Sequence, residues 1–359
     1  MKNNRWIALG MSAVMALGLA ACGSSAGSSA GSSTAGAADS TAAAGATAAA
    51  GSSAAAGATE AAPTASDKKF TVGVLQLVQH PALDAATQGF EDVLKETYGD
   101  NVTIDSQNAA GDSATCATIA NTFVSNKYDL IMANATPALQ AAAAATSDIP
   151  VLGTSVTEYG VALGIDNFSG TVGTNVSGTS DLAPLDQQAA MFAEILPDAK
   201  KIGVLYCSGE PNSVYQANVV KEALEKAGDT VTVYTFTDSN DVASVAQTAC
   251  SENDALYIPT DNTAASCAET IDNVAKPAGV PIICGEEGIC KGCGIATLSI
   301  DYTQLGRKTG EMAVKILNGE EKVSEMPIEY YDNPVKEYDK DRCEALGITA
   351  PDGYQPIAE

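Results

Sequence analysis

The sequence predicts an α/β protein made of two doubly wound lobes, each built around a parallel sheet. Two observations carry this prediction. Strand-like and helix-like segments alternate from residue 70 onward, and the same series of segments recurs in the second half of the chain. Strands that alternate with helical segments are typical of parallel sheets whose faces are covered by helices.

The first series of segments has the order βαβαβαβ. Short apolar runs predict its strands, and the longer segments between them predict its helices. The predicted strands cover residues 70–75, 102–105, 129–132 and 150–152, and the predicted helices cover residues 82–98, 113–126 and 137–145.

The second series repeats the first at three points in the same order. The matching segments are 69–75 with 200–205, 129–132 with 254–258, and 149–151 with 280–282. One such match between apolar strands arises easily by chance. Three matches at similar offsets indicate two copies of one design, and therefore two lobes.

The N-terminus has the features of a secretory signal. Lys2 and Arg5 precede a short apolar run that ends in Leu19-Ala20-Ala21-Cys22. The run is shorter than the ~20 residues that a membrane-spanning helix needs, so residues 1–21 are expected to be a cleaved signal peptide. The ending resembles the lipobox of bacterial lipoproteins, which implies that Cys22 is acylated, for example with palmitate. The alternative is an ordinary secretory signal with an incidental cysteine.

Residues 22–66 are expected to form a lipidated cysteine followed by a flexible tether. After Cys22 this stretch contains only Ala, Gly, Ser and Thr, apart from Asp39, Glu60 and Pro63. Such a composition cannot bury enough apolar surface to offset the entropy lost on ordering. The tether would hold a folded domain near a membrane surface.

Composition excludes several classes of function. The chain has 44 Asp plus Glu against 19 Lys plus Arg, and its formal net charge of −25 argues against nucleic acid as a partner. A single histidine, His80, excludes a metal site built from several histidines. From residue 67 onward, the chain also has neither a Gly-x-Ser-x-Gly nucleophile motif nor a glycine-rich phosphate-binding motif. We therefore expect a binding protein without a cofactor or metal, and not an enzyme.

Polar loops are expected to face each other across a cleft between the lobes. In doubly wound sheets, ligands lie beyond the carboxyl ends of the strands, where helix N-termini present free N–H groups. The loops at those ends are rich in small polar residues. They comprise residues 76–81, 134–136, 153–155, 207–213, 259–263 and 285–287.

Several segments together resemble the ABC-transporter substrate-binding lipoproteins of the tryptophan/tyrosine-type group. The resemblance extends from about residue 70 to residue 348 and is carried by residues 74–84, 134–137, 179–184, 203–213 and 260–263. It implies a type I periplasmic-binding fold with a hinge in which the chain crosses three times between the lobes. Lobe one would comprise residues 67–181 and 302–321, and lobe two residues 182–301 and 322–359.

The resemblance also implies a role and partners. The protein would capture a small molecule at the extracytoplasmic face of a bacterial membrane, anchored there by its lipid, and deliver it to an ABC permease and ATPase. An aromatic or apolar amino acid is the expected ligand. A sugar or nucleoside bound to the same fold is the alternative.

A free amino acid needs hydrogen-bond donors for its carboxylate and an anion for its ammonium group. Thr136, before Pro137 at the start of a helix, and Asn212 with Ser213 are the expected carboxylate contacts. Thr136 and Ser213 would alternatively serve only as helix caps. Asp261 is the expected ammonium partner, with capping as its rival role, and Glu286 or Glu287 could replace it.

The remaining expected contacts come from the same loops. His80 is expected to touch the ligand as a hydrogen-bonding or stacking group, and the other polar candidates are Asn134, Thr154, Ser155 and Ser208. Aromatic side chains near the loops are few. The candidates for stacking on a ligand are Tyr159, Phe168, Tyr206 and Tyr215.

The cysteines leave several alternatives open. Cys290 and Cys293 have the spacing of a redox pair or a zinc half-site. Eight cysteines follow Cys22, and an even number of cysteines outside the cytoplasm favours disulfides. A disulfide between Cys290 and Cys293, or one involving Cys284, is one alternative. A zinc site that adds Cys267 and Cys284 to this pair is another. A CxxC oxidoreductase would require a reactive thiol of low pKa at Cys290 or Cys293.

Overall fold

A computed structural model describes residues 68–357. The predicted signal peptide, Cys22 and the tether lie outside these residues. Two sheets organise the described chain, one with six strands and one with seven. Each sheet with its flanking helices is called a lobe.

Lobe one contains an entirely parallel sheet. Its strands are β1 Phe70–Gln76, β2 Val102–Asn108, β3 Leu130–Asn134, β4 Val151–Thr154, β5 Val176–Ser180 and β11 Glu329–Tyr330. Its helices are α1 Pro81–Tyr98, α2 Ser113–Ser125, α3 Thr136–Ala145, α4 Tyr159–Leu163 and α11 Tyr302–Asn318. Strands β1, β3 and β4 are buried along nearly their whole length because helices cover both faces.

Lobe two follows the same plan with an added antiparallel edge. Its strands are β6 Lys201–Cys207, β7 Thr230–Phe236, β8 Ala255–Ile258, β9 Ile282–Cys284, β10 Ala296–Ser299, β12 Val335–Tyr338 and β13 Gln355–Pro356. Its helices are α5 Leu185–Ile195, α6 Pro211–Ala227, α7 Val242–Glu252, α8 Asn262–Ser266, α9 Ala268–Ala278, α10 Glu287–Cys293 and α12 Lys340–Leu346. Only β12 runs antiparallel to its neighbour β10 among these paired strands.

The predicted repeat is confirmed by the strand order. The sheet of lobe one has the strand order β11-β5-β4-β3-β1-β2, and the sheet of lobe two has the order β13-β12-β10-β9-β8-β6-β7. Lobe one thus contains the run β4-β3-β1-β2, and lobe two contains the corresponding run β9-β8-β6-β7. The first strand of each series therefore occupies the same place in its sheet. As a result, the loops that follow β1 and β6 lie at equivalent positions in the two lobes.

The chain passes between the lobes three times, after β5, after β10 and after β11. The last crossing comes later than the expected boundary at residue 321. Glu329 pairs with Thr179, and Tyr330 pairs with Ser180, so this part of the segment expected in lobe two belongs to the sheet of lobe one. A two-residue strand leaves no periodic pattern in the sequence, which is why the boundary was misplaced.

Helix α11 returns to lobe one and packs closely on α1. A Cβ atom added to Gly306 would collide with the carbonyl oxygen of Ala86, and one added to Gly89 would collide with that of Thr303. The apolar face of α11 joins the core around Phe70. This packing fixes the N-terminal end of α1, which follows His80. Within residues 68–357, no helix combines the length and hydropathy that crossing a membrane requires.

Candidate functional site

The loops at the carboxyl ends of the parallel strands place most of the predicted contacts in buried positions. His80, Asn134, Thr136, Thr154, Ser155, Asn212, Ser213, Asp261 and Glu286 are all buried. Ser208 differs, because it is exposed and its hydroxyl donates to the carbonyl of Phe236, 3.2 Å away. The structure therefore does not bring Ser208 together with the other predicted residues.

The two lobes touch directly across the cleft. His80 Nε2 of lobe one lies 3.3 Å from Asn262 Oδ1 of lobe two. Gln216 Nε2 of lobe two lies 3.4 Å from Thr157 Oγ1 of lobe one. These contacts enclose the loops between them, so buried polar atoms in the cleft are shielded from bulk water.

In lobe one, α3 and the loop after β4 present donors to the cleft. Thr136 is the first residue of α3, and the residue before it, Ala135, has a φ of 90°. Ser155 likewise has a positive φ, 52°. Residues other than glycine adopt such backbone conformations rarely, and they cluster at functional sites. The first turn of α3 also leaves backbone N–H groups without an acceptor inside the helix.

Two other predicted residues of lobe one have structural roles. The Asn134 amide donates to the carbonyl of Leu83 and to Thr87 Oγ1, and so ties α1 to β3. Thr154 Oγ1 lies 3.2 Å from Thr179 Oγ1, on the neighbouring strand. Contacts within lobe one therefore account for Thr154 and for the amide nitrogen of Asn134, whereas Asn134 Oδ1 is buried without a partner among the described residues.

In lobe two, α6 begins earlier than expected. The helix starts at Pro211 with Glu210 as its N-cap residue, so Ser213 lies within the first turn and is not the cap. Proline is favoured in the first turn of a helix, which explains this start. Asn212 Nδ2 donates to Glu210 Oε2 and to the carbonyl of Thr260, while Asn212 Oδ1 is buried without a partner among the described residues.

Asp261 is the N-cap of α8. One carboxylate oxygen accepts from the Ala264 N–H at 2.7 Å, and the other accepts from the Cys207 N–H at 2.8 Å. Burial, together with the nearby Glu210, raises the pKa of Asp261. The capping role that rivalled ligand contact is thus present, and both oxygens already have backbone donors.

Glu286 has a similar capping role in α10. Its two carboxylate oxygens accept from the N–H groups of Gly288 and Ile289. Burial raises the pKa of Glu286 to about 7. Glu287 lies nearer the surface and pairs with Lys291 at 2.8 Å. Neither residue offers an unpaired carboxylate oxygen buried in the cleft.

Asp181 is a buried carboxylate of the cleft that sequence reasoning missed. It follows β5 directly at the first crossing between the lobes, where Oδ2 accepts from the Tyr302 hydroxyl at 3.1 Å. Its other oxygen, Oδ1, is buried without a hydrogen-bond partner among residues 68–357. Burial raises the pKa of Asp181 to about 6. The available signal was its position, because a polar residue directly after a parallel strand lies at the ligand edge of the sheet.

Besides Asn134 Oδ1, four buried polar atoms of residues around the cleft lack partners in the described chain. They are His80 Nδ1, Ser155 Oγ, Asp181 Oδ1 and Asn212 Oδ1. An unpaired buried polar atom costs about 1–3 kcal/mol, so native proteins rarely leave several in one place. A polar ligand bound between the lobes would pair them.

The predicted stacking residues belong to the lobe cores. Tyr159 is fully buried and donates to the carbonyl of Thr179, and Tyr206 lies in the core of lobe two. Phe168 and Tyr215 pack against the edges of the same cores. The expectation that these rings stack on a ligand therefore finds no support, because the interior of each lobe accounts for their positions.

The cysteines of the described chain are free thiols. Within residues 68–357, no group of three His, Cys, Asp or Glu side chains is arranged so that it could hold a metal ion. Burial raises the pKa of the Cys290 thiol, and also that of Cys284. A CxxC oxidoreductase needs the opposite shift at its reactive cysteine.

Known proteins resemble this chain over most of its described length. Residues 71–355 match the family described as ABC transporter substrate binding protein. A curated relative, the Tyrosine-binding protein of Clostridioides difficile (strain R20291), is 38% identical over 288 residues, which cover 79% of this chain and 83% of that protein.

Two solved structures relate this chain to different ligand states. The ABC domain in complex with L-Trp from Streptococcus pneumonia is 35% identical with a TM-score of 0.77, over 81% of this chain and 100% of that one. The ligand-free, open structure of a substrate binding protein with adhesive properties from Clostridium difficile is 41% identical with a TM-score of 0.62, over 80% of this chain and 99% of that one. The L-Trp complex is less similar in sequence than the open structure, yet it superposes better on this chain. This difference agrees with the direct contacts between the two lobes described above. The predicted fold is confirmed.

Proposed function

Because the chain belongs to the ABC transporter substrate-binding proteins, we propose that it captures an aromatic L-amino acid in the cleft between its lobes. Proteins of this family bind a small molecule outside the cytoplasm and supply it to an ABC transporter. They act by reversible binding and are not enzymes, so the specificity of this protein depends on which ligand pairs the groups in its cleft.

The relatives support an aromatic ligand. One is named for binding tyrosine, and another was solved with L-Trp bound. Both cover about four-fifths of this chain.

The unpaired oxygen of Asp181 is the observation that carries the proposal. An ammonium group bound there would place a positive charge and a donor against a buried carboxylate that has no Lys or Arg partner among the described ion pairs. We therefore assign the ammonium contact to Asp181 instead of Asp261, whose two oxygens accept backbone N–H groups.

The carboxylate of the ligand is assigned to the neighbouring strands. In the sheet of lobe one, β5, β4 and β3 are neighbours, so Asp181, Ser155 and Thr136 follow three adjacent strands. The Ser155 hydroxyl lacks a partner, and the first turn of α3 offers N–H groups at the positive end of its dipole. The head group of an amino acid matches this row, because its ammonium would face Asp181 and its carboxylate would face the donors of Ser155 and α3. Asn212 and Ser213 of lobe two stay predicted contacts, but the unpaired atom of Asn212 is Oδ1, which only accepts hydrogen bonds and therefore does not pair a carboxylate.

Ligand analogues test this assignment. Calorimetric titration of the refolded full-length chain should show that N-acetyl-tyrosine, which lacks the ammonium, and tyramine, which lacks the carboxylate, each bind at least ~10-fold more weakly than L-tyrosine. Gln79→Leu, an exposed neighbour of the cleft, is the matched control and should leave all three affinities unchanged. If tyramine or N-acetyl-tyrosine binds as tightly as tyrosine, the head-group assignment is wrong.

Anchoring to the membrane is a separate proposal, supported by sequence alone. We infer that residues 1–21 are removed, that Cys22 carries lipid, and that residues 22–66 tether the lobes. The test is incorporation of labelled palmitate into the full chain in bacterial cells, with Cys22→Ser as the variant. Labelling that persists in Cys22→Ser would contradict the anchor.

A further inference from the structure

His80, the only histidine of the chain, joins the two lobes. It lies in the loop between β1 and α1, is 7% exposed, and places Nε2 3.3 Å from Asn262 Oδ1 across the cleft. Its other ring nitrogen, Nδ1, is buried and has no hydrogen-bond partner among the described residues. The role of this nitrogen depends on where the ring carries its proton.

Glu210 fixes that proton through Asn262. The backbone N–H and the side-chain Nδ2 of Asn262 both donate to Glu210 Oε2, at 3.0 and 2.6 Å. Glu210 Oε2 accepts both of these hydrogen bonds, so the amide of Asn262 directs its NH₂ group at Glu210 and its oxygen at His80. An amide oxygen needs a donor, and Nε2 therefore carries the proton.

The neutral ring then offers Nδ1 as a buried acceptor. Burial lowers the pKa of His80, against the opposing effects of Asn262, Glu210 and Asp84, which favours the neutral ring. In neutral histidine one nitrogen donates and the other accepts. With Nε2 donating to Asn262, Nδ1 can only accept, so its partner has to be an O–H or N–H group.

The ligand's ammonium group cannot fill this position if Asp181 binds it. In the sheet of lobe one, β4 and β3 lie between β5 and β1. The strands β5 and β1 are therefore three strand spacings apart, or ~14 Å. The head-group contacts proposed above lie at the β5, β4 and β3 end of this row. A ligand whose head group is held there extends its side chain along the row toward the loop after β1.

We propose that His80 Nδ1 accepts a hydrogen bond from a donor on the side chain of the ligand, the phenol O–H of tyrosine or the indole N–H of tryptophan. His80 is thereby a specificity-determining residue that disfavours phenylalanine. This inference rests on the proposed function, since it concerns the same site. A site built to pair a substrate donor rejects an analogue that lacks it, because a buried acceptor is then left unpaired.

Affinity ratios test the inference. For the refolded full-length chain, calorimetry should give tyrosine and tryptophan a dissociation constant on the order of 10- to 100-fold lower than that of phenylalanine. His80→Leu should reduce this ratio to about 1. The ratio is the decisive quantity because loss of the contact with Asn262 affects closure on every ligand equally. Gln79→Leu is the control and should keep the ratio of the unmodified chain.

Nitrogen NMR of the single histidine provides a second readout. We expect the Nε2–H tautomer in the ligand-free protein and a change at Nδ1 when tyrosine binds, with no such change for phenylalanine. Asn262→Ala should allow the His80 ring to exchange between its two tautomers. It should therefore also reduce the ratio of affinities for tyrosine and phenylalanine.

The outcomes separate this inference from the proposed function. Equal binding of tyrosine and phenylalanine, an unchanged ratio in His80→Leu, or a proton on Nδ1 in the complex would overturn the role of His80 alone. If no amino acid binds at all, the proposed function fails, and the assignment of a side-chain donor fails with it.

Discussion

Replacing Asp181 with Asn should change ligand affinity and protein stability in opposite directions. Asn keeps the shape of the side chain and an oxygen that can accept from Tyr302, but it removes the negative charge. Hydrogen bonds to charged groups contribute about 1.5–3 kcal/mol, so the affinity for tyrosine should fall by ~10- to 150-fold.

The expected gain in stability follows from the pKa of Asp181. Burial raises this pKa from 3.8 to about 6. At about 1.4 kcal/mol per pKa unit, the ionised side chain costs the ligand-free protein about 3 kcal/mol at pH 8. Removing the charge should therefore raise the free energy of unfolding by up to about 3 kcal/mol at that pH. Urea denaturation at pH 8 measures the stability, and calorimetric titration with tyrosine measures the affinity.

A matched control and a rival variant complete this test. Asp186→Asn removes an exposed carboxylate on α5 and should change neither quantity. Asp261→Asn compares the two candidate ammonium partners directly. Loss of affinity in Asp261→Asn together with full affinity in Asp181→Asn would refute the reasoning that the carboxylate with the unpaired oxygen binds the ligand.

Three further predictions concern pH, packing and thiols. Burial raises the pKa of Asp181 to about 6 and that of Glu286 to about 7. Because these carboxyl groups lose their protons at lower pH in the unfolded chain than in the folded one, the free energy of unfolding of the ligand-free protein should fall between pH 5 and pH 8. Urea denaturation measures this change, and a rise would contradict the prediction. Gly306→Ala should lower the free energy of unfolding by ~1–3 kcal/mol, because the added Cβ would collide with the backbone of α1. Gly209→Ala is the control and should be neutral in the same assay, because a Cβ atom there would lie 3.8 Å from its nearest neighbour, Cys207 Sγ. Alkylation of the native protein at pH 7.5, followed by mass spectrometry, should modify the half-buried Cys267 before the buried cysteines, and early modification of Cys290 would revive a redox role.

The strands, helices and repeat could be predicted from sequence because local patterns encode them. Each buried parallel strand is a short apolar run, and the repeated series occurs in equivalent places of the two sheets. The exceptions are features without a local pattern. Strand β11 has only two residues, and its pairing with β5 depends on the fold as a whole.

The site was predictable as a set of loops but not as a set of roles. Asp261 and Asp181 both follow parallel strands, and sequence alone does not reveal which carboxylate accepts backbone N–H groups and which keeps an oxygen unpaired. The positive φ angles of Ala135 and Ser155 are likewise set by tertiary contacts. Glu210 also orients the Asn262 amide that faces His80, a relation between residues far apart in the chain.

The most direct test of the central claim is a ligand screen by thermal unfolding. The full-length chain is unfolded and refolded to remove any bound ligand, then heated with each of the twenty amino acids, with sugars and with nucleosides. A ligand present at 100 times its dissociation constant stabilises the native state by ~2.7 kcal/mol, which raises the midpoint by several degrees. We predict a shift confined to aromatic amino acids, largest for tyrosine and tryptophan. A shift with a sugar or nucleoside and none with any amino acid would contradict the account.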